Sequence, residues 1–130
     1  MKPGDALPTL QATADPAAMK TMAALLRDPN MIHLDPAASD ALGFGPRVVN
    51  QGPISMGWVH TMLARAAGGP ERILATRFRF LDTVFGGERV VAGGEVTGNA
   101  GDVVECSVWL DVQRPDGPVR ALAGTAQLKG

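Results

Sequence analysis

Residues 52–69, GPISMGWVHTMLARAAGG, constrain the fold of this chain more than any other stretch. Pro53 stands where a helix starts and its missing N–H is no loss, and Gly68-Gly69 close the run. The segment therefore predicts a helix of about four turns. Ile54, Trp58 and Met62 fall along one line of that helix, with Met56, Val59, Leu63 and Ala66 beside it. An apolar band this wide requires other elements to enclose the helix. From Glu71 onward the period changes to two, and Phe78 and Phe80 alternate with Arg77 and Arg79 to give an apolar and a charged face. A turn at Gly86-Gly87 leads into a second strand, where Gly93-Gly94 predict a bulge or the close approach of another backbone. Val104, Cys106, Val108, Leu110 and Val112 alternate through a third strand. Arg114-Pro115-Asp116-Gly117 is a turn sequence, and a last strand runs from about Val119 to Leu128. One enclosed helix followed only by strands predicts an α+β domain, an antiparallel sheet of four or five strands wrapped around a long central helix.

The first fifty residues carry the chemistry. Residues 6–14, ALPTLQATA, have a weak strand pattern. Asp15-Pro16 reads as an N-cap with a proline in the first turn, and opens a helix to about Arg27 with Met19, Met22, Leu25 and Leu26 as its core stripe. Asp35-Pro36 repeats the signal for a short helix to Leu42, closed by Gly43. Between the two lies RDPNMIHLDP, residues 27–36. Asp28 precedes a proline, which ends the helix, and Pro29, Asn30 and Met31 form a turn before His33. Asp28 and His33 would not stack in a continuous helix, where neighbours lie three or four apart, but a broken turn can bring them into one pocket. A carboxylate and an imidazole are the usual parts of general acid–base catalysis. The same residues also read as ordinary turn chemistry, with Asp28 ending one helix, Asp35 starting another and His33 half-buried and satisfied. The turn by itself leaves both readings open.

Composition narrows the remaining classes. The 130 residues fit one domain spanning the whole chain. A net charge of −1 gives no electrostatic case for nucleic acid or an anionic membrane surface. No apolar run is long enough to span a bilayer, and MKPGDALPTL lacks an apolar signal core, so the cytoplasm is the expected location. Cys106, the one cysteine, reads as a small buried hydrophobe and leaves no disulfide framework. Two histidines without a further cluster fall short of a metal site. The glycine pairs do not form a phosphate loop opening a helix, so no nucleotide cofactor is expected.

The pattern D-x-N-x-x-H-x-D, here Asp28, Asn30, His33 and Asp35, is followed by Ala37-Ala38, Gly43 and Gly52 at the head of the apolar helix. It resembles the MaoC-like (R)-specific enoyl-CoA hydratases. Arg77–Val96 is similar to that family's paired strands around a glycine turn, so the likeness runs from roughly Asp15 to Leu128. The resemblance implies a single hotdog domain that pairs edge to edge as a homodimer, or as a heterodimer with a related hotdog chain. It implies reversible addition of water to a trans-2-enoyl thioester, giving the (R)-3-hydroxyacyl product, without a metal or cofactor. Asp28 would be the base that activates the water, and His33 would orient it and relay a proton. Gly52, at a helix N-terminus, would meet the charge that develops on the thioester oxygen. Asn30 would fix the loop or the histidine. The substrate would be an acyl-CoA or acyl-carrier-protein thioester, with Arg65, Arg72, Arg77 and Arg79 as candidates for CoA phosphates. Hotdog thioesterases and fatty-acid-synthase dehydratases usually carry a carboxylate on the central helix, and residues 52–69 have none. The chain departs from the pattern at Asn50-Gln51, where the family has a single histidine before the glycine. It departs again at His60, where the family often has a serine. These departures bear on the acyl group accepted, with His60 either lining the pocket or satisfied in the core. They also keep open an alternative, a non-catalytic acyl-thioester-binding subunit of a heterodimeric hydratase, whereas the presence of both Asp28 and His33 favours the enzyme.

Overall fold

A computed structural model describes residues 1–130. In chain order it contains β1 (Leu10–Thr13), α1 (Pro16–Leu26), a 3₁₀ turn (Met31–His33), α2 (Pro36–Ala41), α3 (Gly52–Ala67) and a second 3₁₀ turn (Pro70–Arg72). Four strands follow: β2 (Ile73–Phe80), β3 (Arg89–Asn99), β4 (Val103–Arg114) and β5 (Gly117–Lys129). All pairings are antiparallel, in the order β1-β3-β4-β5-β2. Helix α3 touches every one of the five strands.

The core forms where the alternating face of the sheet meets α3. Val104, Cys106, Val108, Leu110 and Val112 of β4 are all buried, as their spacing predicts, and pack with Val59, Met62 and Leu63 of α3. Each such side chain removed from water contributes about 1.5–3 kcal/mol. Ile54, Met56, Trp58 and Ala66 are only partly covered, so α3 is enclosed on one side and half open on the other. Burial raises the Cys106 thiol pKa and the Glu105 carboxylate beside it adds to the shift, so this sulfur is a packing group.

One expectation needs correction, and at Gly93-Gly94 the structure decides between two. The stripe on α1 is Met19 and Ala23; Leu25 is 74% exposed and Leu26 is exposed too. Helix α1 rests on the domain by one narrow seam, and its last turn runs past the core. The register is continuous through Gly93-Gly94 and shifts instead between Val96 and Gly98. The pair serves close approach: a Cβ on Gly93 would meet the Trp109 ring at 2.7 Å, and one on Gly94 would meet the Ser107 carbonyl oxygen at 2.9 Å. Phe80 shares the face of Phe78 but lies beyond the core, more than half exposed.

Candidate active site

Local chemistry brings Asp28 and His33 together. Arg27 takes the left-handed conformation that closes α1 (φ 51°), and the Asp28 N–H donates to the Ala23 carbonyl. Pro29 then breaks the helix. The Asn30 N–H donates to Asp28 Oδ1 at 3.0 Å, and Asn30 Oδ1 in turn accepts from the Ile32 N–H at 3.2 Å, capping the 3₁₀ turn that carries His33. Asn30 therefore fixes the loop and not the imidazole. Asp35 caps α2 through the Ala37 N–H, which anchors the far side of the same loop.

Asp28 Oδ2 remains free and lies 3.6 Å from His33 Nε2. That separation exceeds a direct hydrogen bond and allows one water to touch both atoms at about 2.8 Å. The other ring nitrogen, Nδ1, is 2.6 Å from the Val49 carbonyl oxygen. A carbonyl only accepts, so Nδ1 carries a proton there, and the ring is turned with Nε2 towards Asp28. The His33 side chain is 12% exposed and Asp28 32%, so the pair sits in a recess that solvent reaches.

Val49 opens the strip that leads to α3. Gln51 is the N-cap of α3 and its carbonyl accepts from the Ile54 and Ser55 N–H groups. Pro53 has no N–H. Gly52 occupies the first helical position, whose N–H has no acceptor within the helix and points with the helix dipole. A Cβ at Gly52 would lie 3.1 Å from the Phe80 ring, so the absence of a side chain lets that ring lie across the helix start. Phe80 and the Val49 carbonyl are the two parts of the site that sequence reasoning missed. A backbone acceptor leaves no residue signature, and alternation gives Phe80 an apolar face without showing what that face meets.

The remaining candidates divide. The Gln51 side chain is buried and its Nε2 donates to the Met19 carbonyl of α1 at 2.8 Å. His60 is not joined to Asp28 and His33. Its Nε2 is 3.2 Å from Thr76 Oγ1 and its ring stands edge-on to Phe78 at 5.5 Å. It opens on a separate groove of about 620 Å³ between α3 and the start of β2, with Arg65 and Ile73 on its walls. Arg72 is spent on the chain end, donating to the Lys129 and Gly130 carbonyls, whereas Arg65, Arg77 and Arg79 are exposed.

A second cluster holds the turn that supports this strip. Glu88 is bound by Arg114 at 2.9 Å and by the Phe85 N–H at 2.9 Å, and Arg114 also donates to the Thr83 carbonyl at 2.7 Å. Burial alone would raise the Glu88 pKa, but the bonds from Arg114 and Phe85 and the charges of Arg114 and Arg47 outweigh it and hold it below the ordinary carboxylate value. The turn then meets the strip directly: the Asn50 N–H donates to the Val84 carbonyl, and the Gly86 N–H to that of Val48.

Comparison with known proteins bears on the family and the fold. The family model for the MaoC like domain matches residues 2–109. Among solved structures, the (R)-hydratase from A. caviae involved in PHA biosynthesis superposes with a TM-score of 0.87 at 26% identity, covering 99% of this chain and 96% of that one. R-hydratase PhaJ1 from Pseudomonas aeruginosa gives 0.86 at 20% identity, over 100% of this chain and 82% of that one. The ChsH1-ChsH2 complex from Mycobacterium tuberculosis gives 0.82 at 23% identity, over 98% and 96%. No curated protein sequence matches at a significant level. The chain belongs to the MaoC-like dehydratase domain family, and its five-stranded antiparallel sheet around α3 is the hotdog fold of the (R)-hydratases it superposes on.

Proposed function

We propose that this protein is an (R)-specific hydratase that adds water reversibly to trans-2-enoyl thioesters, with Asp28 and His33 as its acid–base pair. The observation that carries this reading is the 3.6 Å gap between Asp28 Oδ2 and His33 Nε2, on a ring whose orientation is fixed by the contact of Nδ1 with the Val49 carbonyl. One water held between them loses a proton to Asp28 as its oxygen bonds to C3. The C2–C3 electron pair moves towards the thioester oxygen, and the Gly52 N–H stabilises the enolate so formed. The proton taken from water returns to C2 through His33, so the sum is addition of one water. The substrate is an acyl-CoA or acyl-carrier-protein thioester. The test is to offer purified protein a panel of trans-2-enoyl-CoA thioesters, follow loss of the conjugated chromophore, and resolve the product on a chiral phase. An (R)-3-hydroxyacyl product is expected; an (S)-product would overturn the proposed geometry.

Assembly belongs to the same reading. Strand β2 is an outer strand of the sheet, and Leu74 and Phe80 on it and Leu81 just past its end are each at least half exposed. An uncovered edge of this length invites pairing with another strand, and a homodimer is the expected form. A second reading, a non-catalytic subunit paired with a related hotdog, draws on the two-chain ChsH1-ChsH2 match and on the changed residues Gln51 and His60. Gel filtration of the chain purified alone separates the two. A stable homodimer supports the first, and solubility only with a partner supports the second.

A further inference from the structure

We infer that Gln51 is a positioning residue that sets the helix carrying Asp28 against the start of α3; the inference rests on the hydratase reading above. Four consecutive residues each hold a different part of the site. The Val49 carbonyl takes His33 Nδ1 at 2.6 Å. The Asn50 side chain donates to Ser55 Oγ at 3.0 Å, pinning the first turn of α3. Gln51 reaches across to the Met19 carbonyl at 2.8 Å, and Gly52 supplies the N–H at the helix start. Asp28 itself hangs from the end of α1, and Met19 and Ala23 are the buried residues of that helix. The Gln51–Met19 bond is therefore a direct polar tie between the element that delivers the carboxylate and the element that presents Gly52.

The chemistry of position 51 argues that this tie matters for more than the fold. An N-cap side chain ordinarily turns back to cap its own helix, and Gln51 does not. Its side chain is 1% exposed, yet Oε1 has no hydrogen-bond partner. A buried orphan acceptor works against stability, and an apolar side chain of the same length would avoid it. Retaining the amide fits a site that uses its donor to fix a distance.

The test compares Gln51→Met, which keeps length and removes the donor, with Gln51→Asn, which is one methylene too short to reach Met19. Wild type and Asp28→Asn are assayed alongside on the best enoyl-CoA substrate, with thermal melting of every variant. Both Gln51 variants are expected to fold with kcat lowered by ~10–10²-fold, as for a misalignment of about 1 Å. KM should stay within about threefold and the pH–rate profile should keep its shape, because the Val49–His33 contact is untouched. Unchanged kcat in a folded variant, or a rise in KM alone, would overturn the inference while the Asp28→Asn loss still upheld the hydratase reading. Failure of both variants to fold would assign Gln51 to the fold alone and overturn it equally. An inactive wild type would instead remove the hydratase reading itself.

Discussion

His33 and Val49 are joined by one contact, imidazole Nδ1 to carbonyl oxygen at 2.6 Å, and it decides which nitrogen faces Asp28. The acceptor is backbone, so no side-chain exchange at position 49 removes it. Val49 is itself fixed from both sides, its N–H donating to the Ile32 carbonyl and its neighbour Asn50 to Val84. The imidazole ring is thus oriented by two short crossings between the loop of residues 28–35 and the strip that enters α3. In the proposed reaction, pre-setting that orientation saves the site from reorganising a dipole when water is activated.

Gly52 and Phe80 are expected to behave as a coupled pair. In Gly52→Ala the new Cβ would meet the Phe80 ring at 3.1 Å, tight enough that the ring must move outward. The ring is half exposed, so folding stability should change by under about 1 kcal/mol. The wall over the thioester position moves with it, and turnover should fall ~10–10²-fold. Adding Phe80→Leu, which vacates that space, should recover most of the loss. A double variant no more active than Gly52→Ala would show that Phe80 is not the cause.

The Glu88–Arg114 pair predicts a dependence of stability on pH. The folded-state pKa of Glu88 is held below its unfolded value near ~4.3. Its contribution is therefore complete above the unfolded pKa and is lost as pH falls through the depressed folded value. Glu88→Gln should lower unfolding free energy at neutral pH by about 1.5–3 kcal/mol, the range for hydrogen bonds to a charged group. The difference from wild type should shrink below about pH 4. Denaturant unfolding at neutral and acid pH checks this, and an equal difference at both would contradict it.

Much of this arrangement was legible in the residues, and the exceptions have physical causes. The central helix, the alternating β4 and the Asp-Pro helix starts are local patterns, and each fell where its period or cap placed it. The approach of Asp28 to His33 was legible because a proline break is also a local signal. The α1 stripe was not, since periodicity records apolar residues without recording whether anything lies opposite; Leu25 and Leu26 point past the edge of the core. The tie from Gln51 to Met19 spans thirty-two residues of chain and leaves no mark on the spacing of either.

His60→Ser should alter which acyl group is preferred more than how fast the site turns over. His60 lies on the groove between α3 and β2, bound to Thr76 and away from the Asp28–His33 pair. Turnover on the best substrate should stay within about tenfold, under ~1.4 kcal/mol of barrier. The ranking of a chain-length series should shift, because a bulky polar ring is replaced by a small hydroxyl. A uniform loss across the series would show instead that His60 supports the catalytic geometry.

The sharpest test lies in how Asp28 and His33 fail when changed. Asp28→Asn keeps the shape, and the Asn30 N–H still finds an acceptor oxygen at position 28, but no base remains. His33→Gln removes the imidazole that relays the proton and takes the Val49 contact with it. Groups of this kind contribute ~10²–10⁴-fold, so either single change should lower turnover by about that much. If both act on one water, removing the second partner costs little once the first is gone. The double variant should then be far more active than the product of the two single losses predicts. Melting temperature should scarcely move in Asp28→Asn, because Asp28 is a third exposed and outside the apolar core, whereas His33→Gln, which leaves the Val49 carbonyl without its partner, should cost about 1–3 kcal/mol of stability. Losses that multiply would mean the two residues act on different steps. Near-full hydratase activity in Asp28→Asn would place the chemistry elsewhere on the fold.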